Sequence, residues 1–347
     1  MIGRHPARLF AAVLVLAAVT GAAWWWHYGP IYQRRQRLAE AEKLLEGNDP
    51  AGALETLEGL LKEEPTQVRA WLLYARVLRR LGQGEEARGA LLKAKELGLP
   101  EPEGDREYAL LLAAAGQDFR RAERLLQKQP DDPEVYQALA EGYANSHRWL
   151  DAERAYTRCL ELRPDRGDYW LGRGRVRQQA EHFGAAAADF REAVRRSPED
   201  FQPRWLLIVC LLADARIAEA EKELLLCRRL HPARAELLVG LATCALERGN
   251  PDQAQALLTE ALDRDPSSIL ALIRLGNLYL SGQRDDLAIP VFEKVVRLNP
   301  RDKQGHLKLA QALRRTGDPE RATEHLRRYQ ELLHEEQQRL PGPPRVR

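Results

Sequence analysis

Prolines stand at Pro65, Pro100, Pro130, Pro164, Pro198, Pro232, Pro266 and Pro300, and from Pro130 onward every interval is 34 residues. Alanines keep the same beat at Ala53, Ala87, Ala122, Ala152, Ala186, Ala220, Ala254, Ala288 and Ala322. A unit this short cannot bury a core alone. It must stack on its neighbours, so a fixed period of roughly 20–50 residues selects a solenoid.

Each unit carries two helical patterns. In residues 133–166, Tyr136, Leu139, Ala140 and Tyr143 follow the i, i+3, i+4, i+7 spacing of one helix face, and a polar break, ANSHR, follows. Ala152, Ala155, Tyr156, Cys159 and Leu160 then trace a second stripe, which Pro164 ends because proline lacks a donor and clashes with the preceding turn. The composition agrees with helix: the chain is 44% hydrophobic, 30% charged and rich in Ala, Leu, Glu and Arg. Two antiparallel helices approach closely only where a small residue stands at the crossing. Ala152 and its equivalents therefore pair with Ala140, Gly174, Ala242, Gly276 and Ala310 of the first helices, and Tyr156, Phe190, Leu224, Leu258 and Phe292 fill the space beside them.

The pattern resembles the tetratricopeptide repeat: a large residue at position 4, Leu-Gly or Leu-Ala at 7 and 8, Tyr at 11, Ala at 20, an aromatic at 24, Ala at 27 and Pro at 32. Residues 269–302 match it with Leu272, Leu275, Gly276, Tyr279, Ala288, Phe292, Val295 and Pro300; residues 167–200 match it with Trp170, Arg173, Gly174, Ala186, Phe190, Ala193 and Pro198. About nine units fit: 34–67, 68–101, 102–132, 133–166, 167–200, 201–234, 235–268, 269–302 and 303–336, with a tail at 337–347. The third is three residues short, and the first follows the signature loosely. The resemblance implies an all-α, right-handed superhelical solenoid of antiparallel helix pairs. It also implies a concave groove, lined by positions 2, 5, 9, 12 and 13 of the first helices, that takes a protein or peptide ligand.

Read along the chain, those positions give a basic zone at Arg69, Arg76, Arg79 and Arg80, followed by an apolar stripe at Leu171, Trp205, Val209, Val239, Ile273 and Leu307, with Asn277 able to bond a backbone. A solvated helix face is normally polar, so the stripe calls for a cover: a partner, the curl of the solenoid itself, the N-terminal segment or a second copy. Outside the shortened unit 102–132, where Arg106 falls at position 5, no repeat carries Lys or Arg at that position, so a clamp for chaperone C-termini is not expected. No zinc-binding cysteine tail follows either, unlike one class of membrane-anchored bacterial repeat proteins.

Residues 1–8 are basic at Arg4 and Arg8, and Leu9 to Trp26 carries no charge. Eighteen helical residues reach about 27 Å, close to the hydrocarbon core of a bilayer. Trp24, Trp25, Trp26 and Tyr28 close the run as interfacial aromatics do. Residues 9–28 therefore read as a single-pass membrane anchor, as in membrane-anchored bacterial repeat proteins of this type, or as a signal peptide cut near TGAA, which would leave a secreted or periplasmic chain. Arg34, Arg35 and Arg37 follow the run, so positive charge flanks both ends and nearly cancels. A short basic N-terminus before a first span usually stays inside, and on that rule the repeats are expected outside the cytoplasm.

No motif calls for a cofactor or metal. The cysteines Cys159, Cys210, Cys227 and Cys244 form no C-x-x-C pair and read as small buried residues. No histidines stand at metal-ligand spacing, and no phosphate loop or nucleophile elbow is present. A net charge of +2 gives no field for nucleic acid. An enzyme built on a helical barrel would need carboxylates converging at one end, which this register does not supply. RNA-binding helical repeats usually run at 35 residues without these Gly, Ala and Pro positions. The expected role is a membrane-tethered scaffold or adaptor without catalysis of its own, its oligomeric state open.

Overall fold

A computed structural model describes residues 32–47 and 49–339. The anchor or signal segment at 9–28 and the tail from 340 lie outside the described residues. All described secondary structure is helical: α1 over 32–46, α2 Pro50–Glu63, α3 Val68–Arg80, α4 Gly84–Glu96, α5 Glu101–Ala114, α6 Phe119–Lys128, α7 Pro133–Asn145, α8 Trp149–Leu162 and α9 Gly167–Gln179 in one compact unit, Met1–His182. The second unit, Phe183–Arg347, holds α10 Phe183–Arg196, α11 Phe201–Ala213, α12 Ile217–Leu230, α13 Ala235–Glu247, α14 Pro251–Arg264, α15 Ile269–Ser281, α16 Asp285–Leu298, α17 Lys303–Arg315 and α18 Pro319–Arg339. Among the described residues no helix is long and apolar enough to cross a membrane.

Three local rules build each repeat. First, an aspartate, asparagine or serine caps many helices: Asp132 accepts from the amides of Glu134 and Val135 ahead of Pro133, and Asn250 and Ser268 do the same for α14 and α15. Second, the turn inside each helix pair needs one residue in the left-handed region. Gly82, Gly116, His147, Glu181, Ala215, Gly249, Gln283 and Gly317 occupy it, at intervals of 34 except for 31 between Gly116 and His147. The three missing residues therefore fall between those two turns, where α6 has only 10 residues against 14 in α8. Third, the residue at position 4 bonds back to the proline carbonyl that ended the previous repeat. Trp71 Nε1 donates to Pro65 O (2.8 Å), Trp170 Nε1 to Pro164 O (3.0 Å) and Arg204 Nη2 to Pro198 O (3.0 Å), and His306 Nε2 meets Pro300 O at 3.2 Å. The large residue at that position is thus a linchpin between successive units as well as a packing group.

The periodic alanines are the core. Ala53, Ala87, Ala122, Ala152, Ala186, Ala220, Ala254 and Ala288 are all at zero exposure. The glycines mark two kinds of close approach. A Cβ on Gly276 would stand 2.6 Å from the Phe292 ring of its own repeat. On Gly172 it would stand 2.4 Å from Tyr156, and on Gly240 2.6 Å from Leu224, both in the preceding repeat. The four cysteines are buried and free, and burial raises the Cys210 and Cys244 thiols to about 11, so they pack as small hydrophobes.

Candidate functional site

In the first unit, the C-terminal part of α3 and the N-terminal parts of α5, α7 and α9 carry a ladder of arginines and carboxylates. Arg76 Nε and Arg79 Nε both donate to the fully buried Glu107, at 3.0 and 2.7 Å. Arg80 spans two repeats, donating to Leu45 O at 2.8 Å and to Glu134 at 3.1 Å; Arg106 also holds Glu134 (3.2 Å) and Asp132 (2.8 Å). Arg166 pairs with Asp168 and donates to Glu46 O at 2.8 Å, so the start of the fifth repeat touches the end of α1. Burial alone would raise Glu134, but Arg79, Arg80 and Arg106 outweigh it and bring its carboxyl down to about 2. Arg79 keeps its charge against burial because Glu107, Glu134 and Glu141 face it.

This corrects the basic zone expected from the sequence. Arg79 is buried and Arg80 is nearly so, and both are paired inward, because a guanidinium leaves water only when a carboxylate compensates it. Arg76 shares Glu107. Arg69 is exposed and bridges Glu42 and Glu103. The sequence placed these four arginines on one face but could not show their partners, which lie about one repeat or more away.

Below the ladder lies a cavity of about 500 Å³. Arg79, Arg80, Glu141 and Arg175 supply its charge, and Trp149 and Tyr156 its aromatic wall. Glu141, Trp149, Tyr156 and Arg175 were not singled out as site residues from the sequence. Glu141 and Arg175 occupy position 9 of successive repeats, which is the signal that could have found them. Burial raises the Glu141 carboxyl, opposed by Arg79, and burial together with Glu141 raises the Tyr156 phenol. Leu171 is half-buried on α9.

The second unit carries most of the apolar stripe. Trp205 and Val209 on α11 and Ile273 and Asn277 on α15 are half-buried, and Leu307 on α17 is exposed. Trp205 stacks on Phe201 (centroids 5.9 Å, planes 12° apart), and the Arg234 guanidinium lies 4.1 Å from the Phe201 centroid. This holds the indole in place from its own helix. Val239 is corrected: at 3% exposure it belongs to the core between α13 and α15, because its neighbours Leu238 and Ala242 draw that part of α13 inward. Among the described residues no group of three or more His, Cys, Asp or Glu side chains could hold a metal ion.

Stacked helix pairs define a helical-repeat protein. Family models described as tetratricopeptide repeat match residues 171–235, 224–269, 239–303 and 273–333, residues 44–115 and residues 135–168. The chain belongs to the tetratricopeptide-repeat family. It is 22% identical over 263 residues to the human protein O-mannosyl-transferase TMTC3, covering 68% of this chain and 28% of that protein. It is 35% identical over 81 residues to the tetratricopeptide repeat and J domain-containing co-chaperone DNJ1 of Fusarium oxysporum, covering 23% of this chain and 16% of that one. The chain thus spans less than a third of the length of either relative. Among solved structures, the APC/C hetero-tetramer Cut9–Hcn1 is similar at 17% identity and a TM-score of 0.48, with 82% of this chain and 57% of that chain covered.

Proposed function

We propose that this protein is a membrane-tethered scaffold that holds a partner protein or peptide against its inner first-helix face, with residues 9–28 as the anchor, the repeats outside the cytoplasm and no catalysis of its own. The observation that carries this reading is the stripe of Trp205, Val209, Ile273 and Leu307. Water reaches these apolar side chains on α11, α15 and α17, with Trp205, Ile273 and Leu307 at position 5 and Val209 at position 9 of their repeats, and Asn277 stands among them as a polar contact. Trp205 is the strongest single anchor. Its ring is already ordered by Phe201, so little freedom is lost when a partner covers it. The co-chaperone name of one relative is in keeping with a partner-holding role.

Capture of partners from a detergent-solubilised extract by the full-length chain tests the reading. Trp205→Ala should weaken capture about 30-fold, the equivalent of ~2 kcal/mol. Capture that survives Trp205→Ala combined with Ile273→Asp, in a protein whose circular dichroism is unchanged, would place partners on another surface.

The anchor is tested separately. Full-length protein should stay with membranes through high salt and carbonate, because an apolar helix of this length is held by burial and not by charge. A mature chain that begins near Trp24 would instead identify a cleaved leader.

A further inference from the structure

The first unit holds a cavity whose chemistry the apolar stripe does not use. We infer that this cavity is a binding site for an organic acid: a carboxylate carried on an aromatic or branched apolar body.

Three observations point there. Arg79 is 4% exposed and lines the cavity, yet the protein uses only its Nε, which donates to Glu107. Neither Nη group has a hydrogen-bond acceptor among the described residues, and Nη2 is fully buried in that state. A buried donor left unmade is costly, more so on a charged group, so Nη2 calls for an acceptor from the cavity. Its geometry suits two oxygens of one carboxylate.

The second observation is Arg175. It lines the same cavity from α9, is exposed, and has no ion-pair partner among the described residues, whereas Arg76, Arg79, Arg80, Arg106 and Arg166 are all compensated. Third, Trp149, Tyr156, Val176 and Leu111 give the cavity an apolar and aromatic wall, beside the amides of Asn145 and Gln179. Gly172 is needed to let the Tyr156 ring stand where it does. About 500 Å³ is the size of an ordinary small-ligand site.

Glu141 sets the sign of a distinctive test. It lines the cavity and accepts from Gln137 Nε2 at 2.9 Å. Arg79 and Arg80 face it from α3 and Asp168 from α9, and Tyr156 stands near it on α8. An incoming carboxylate adds a like charge beside it and pushes it further toward its protonated form. Binding therefore takes up a proton. Affinity rises as pH falls toward the raised Glu141 value and is weakest where Glu141 is fully ionised.

The same acid group has two possible sources, a free small molecule or an acidic residue in a peptide. The experiment titrates full-length detergent-solubilised protein with hippurate, with its uncharged amide, and with a blocked peptide carrying one glutamate between two phenylalanines. Hippurate, the peptide or both should bind saturably, and the amide at least about tenfold more weakly than hippurate. Binding by hippurate alone assigns the site to a free acid, and binding by the peptide alone assigns it to a protein partner. Arg175→Ala, a change at an exposed side chain, should weaken binding several-fold. Glu141→Gln should strengthen it several-fold and abolish the pH dependence, a gain that general damage cannot mimic. Failure of both hippurate and the peptide to bind, equal binding of hippurate and its amide, or weaker binding in Glu141→Gln would overturn the inference. The Trp205 test on the second unit is untouched by any of these results.

Discussion

Gly142→Ala should cost roughly 3 kcal/mol or more and lower the melting temperature of the first unit well below that of the unaltered chain. Helix α7 crosses α5 at this residue so closely that an added Cβ would stand 1.7 Å from Ala113 O and 2.9 Å from Phe119 Cε1. A carbonyl oxygen inside a helix cannot swing aside as a flexible side chain can, so the two helices must part along their whole contact. Separation would open space around Leu110, Ala113, Ala138 and Leu139, which form one buried cluster there. The same substitution at Gly59 on α2 is the control, because nothing lies within 4 Å of its added Cβ. There the helix should gain about 0.5–1 kcal/mol from the lost freedom of glycine. Denaturant melts of the two variants should move in opposite directions. A Gly142→Ala melt at or above that of the unaltered chain would mean that the crossing is looser than described.

Gly142 also marks where the sequence stopped being informative. The 34-residue beat of Pro and Ala is a one-dimensional signal, and it located the helix pairs and the buried alanines. It assigned the small crossing residue to position 8, which holds for Gly276 against Phe292. Gly172 and Gly240, at position 6, face large residues of the preceding repeat, and Gly142, at position 10, faces a backbone in the shortened one. Periodicity reports which residues share a helix face. It does not report how far apart two helices sit, and in unit 102–132 the short α6 changes that distance.

Charge shows the same boundary more sharply. Arg76, Arg79 and Arg80 are adjacent on one helix, so their shared face was legible. Glu107 and Glu134 belong to the next two repeats, and no local pattern ties them to α3. Apolar burial recurs with the repeat and can be read from it. The ion pairs of Glu107 and Glu134 occur in single copies and cannot. Val239 failed for a related reason: its repeat position suggested a surface, and its own neighbours on α13 decided its burial.

The arginine ladder gives the other large expected effect. Glu107→Ala should destabilise the first unit by about 3–5 kcal/mol, the cost of stranding a buried charge. Glu107 is fully buried and answers both Arg76 and Arg79. Arg76 is part-exposed and can turn to water when its partner is gone. Arg79 cannot: its side chain is 2% exposed and would face the core with its charge uncompensated except at a distance by Glu134 and Glu141. Replacing both partners, as Glu107→Leu with Arg79→Met, should therefore recover most or all of the loss, because an apolar pair of similar volume needs no desolvated charge. The double-mutant cycle in urea measures the coupling directly. If Glu107→Ala were as stable as the unaltered chain, Arg79 would have to reach solvent in the native state, and the pair would be an ornament of the surface. If the single change is costly and the double change is not, the buried arginine is tolerated rather than required for the fold, and its open Nη fork can be kept by the protein for another purpose.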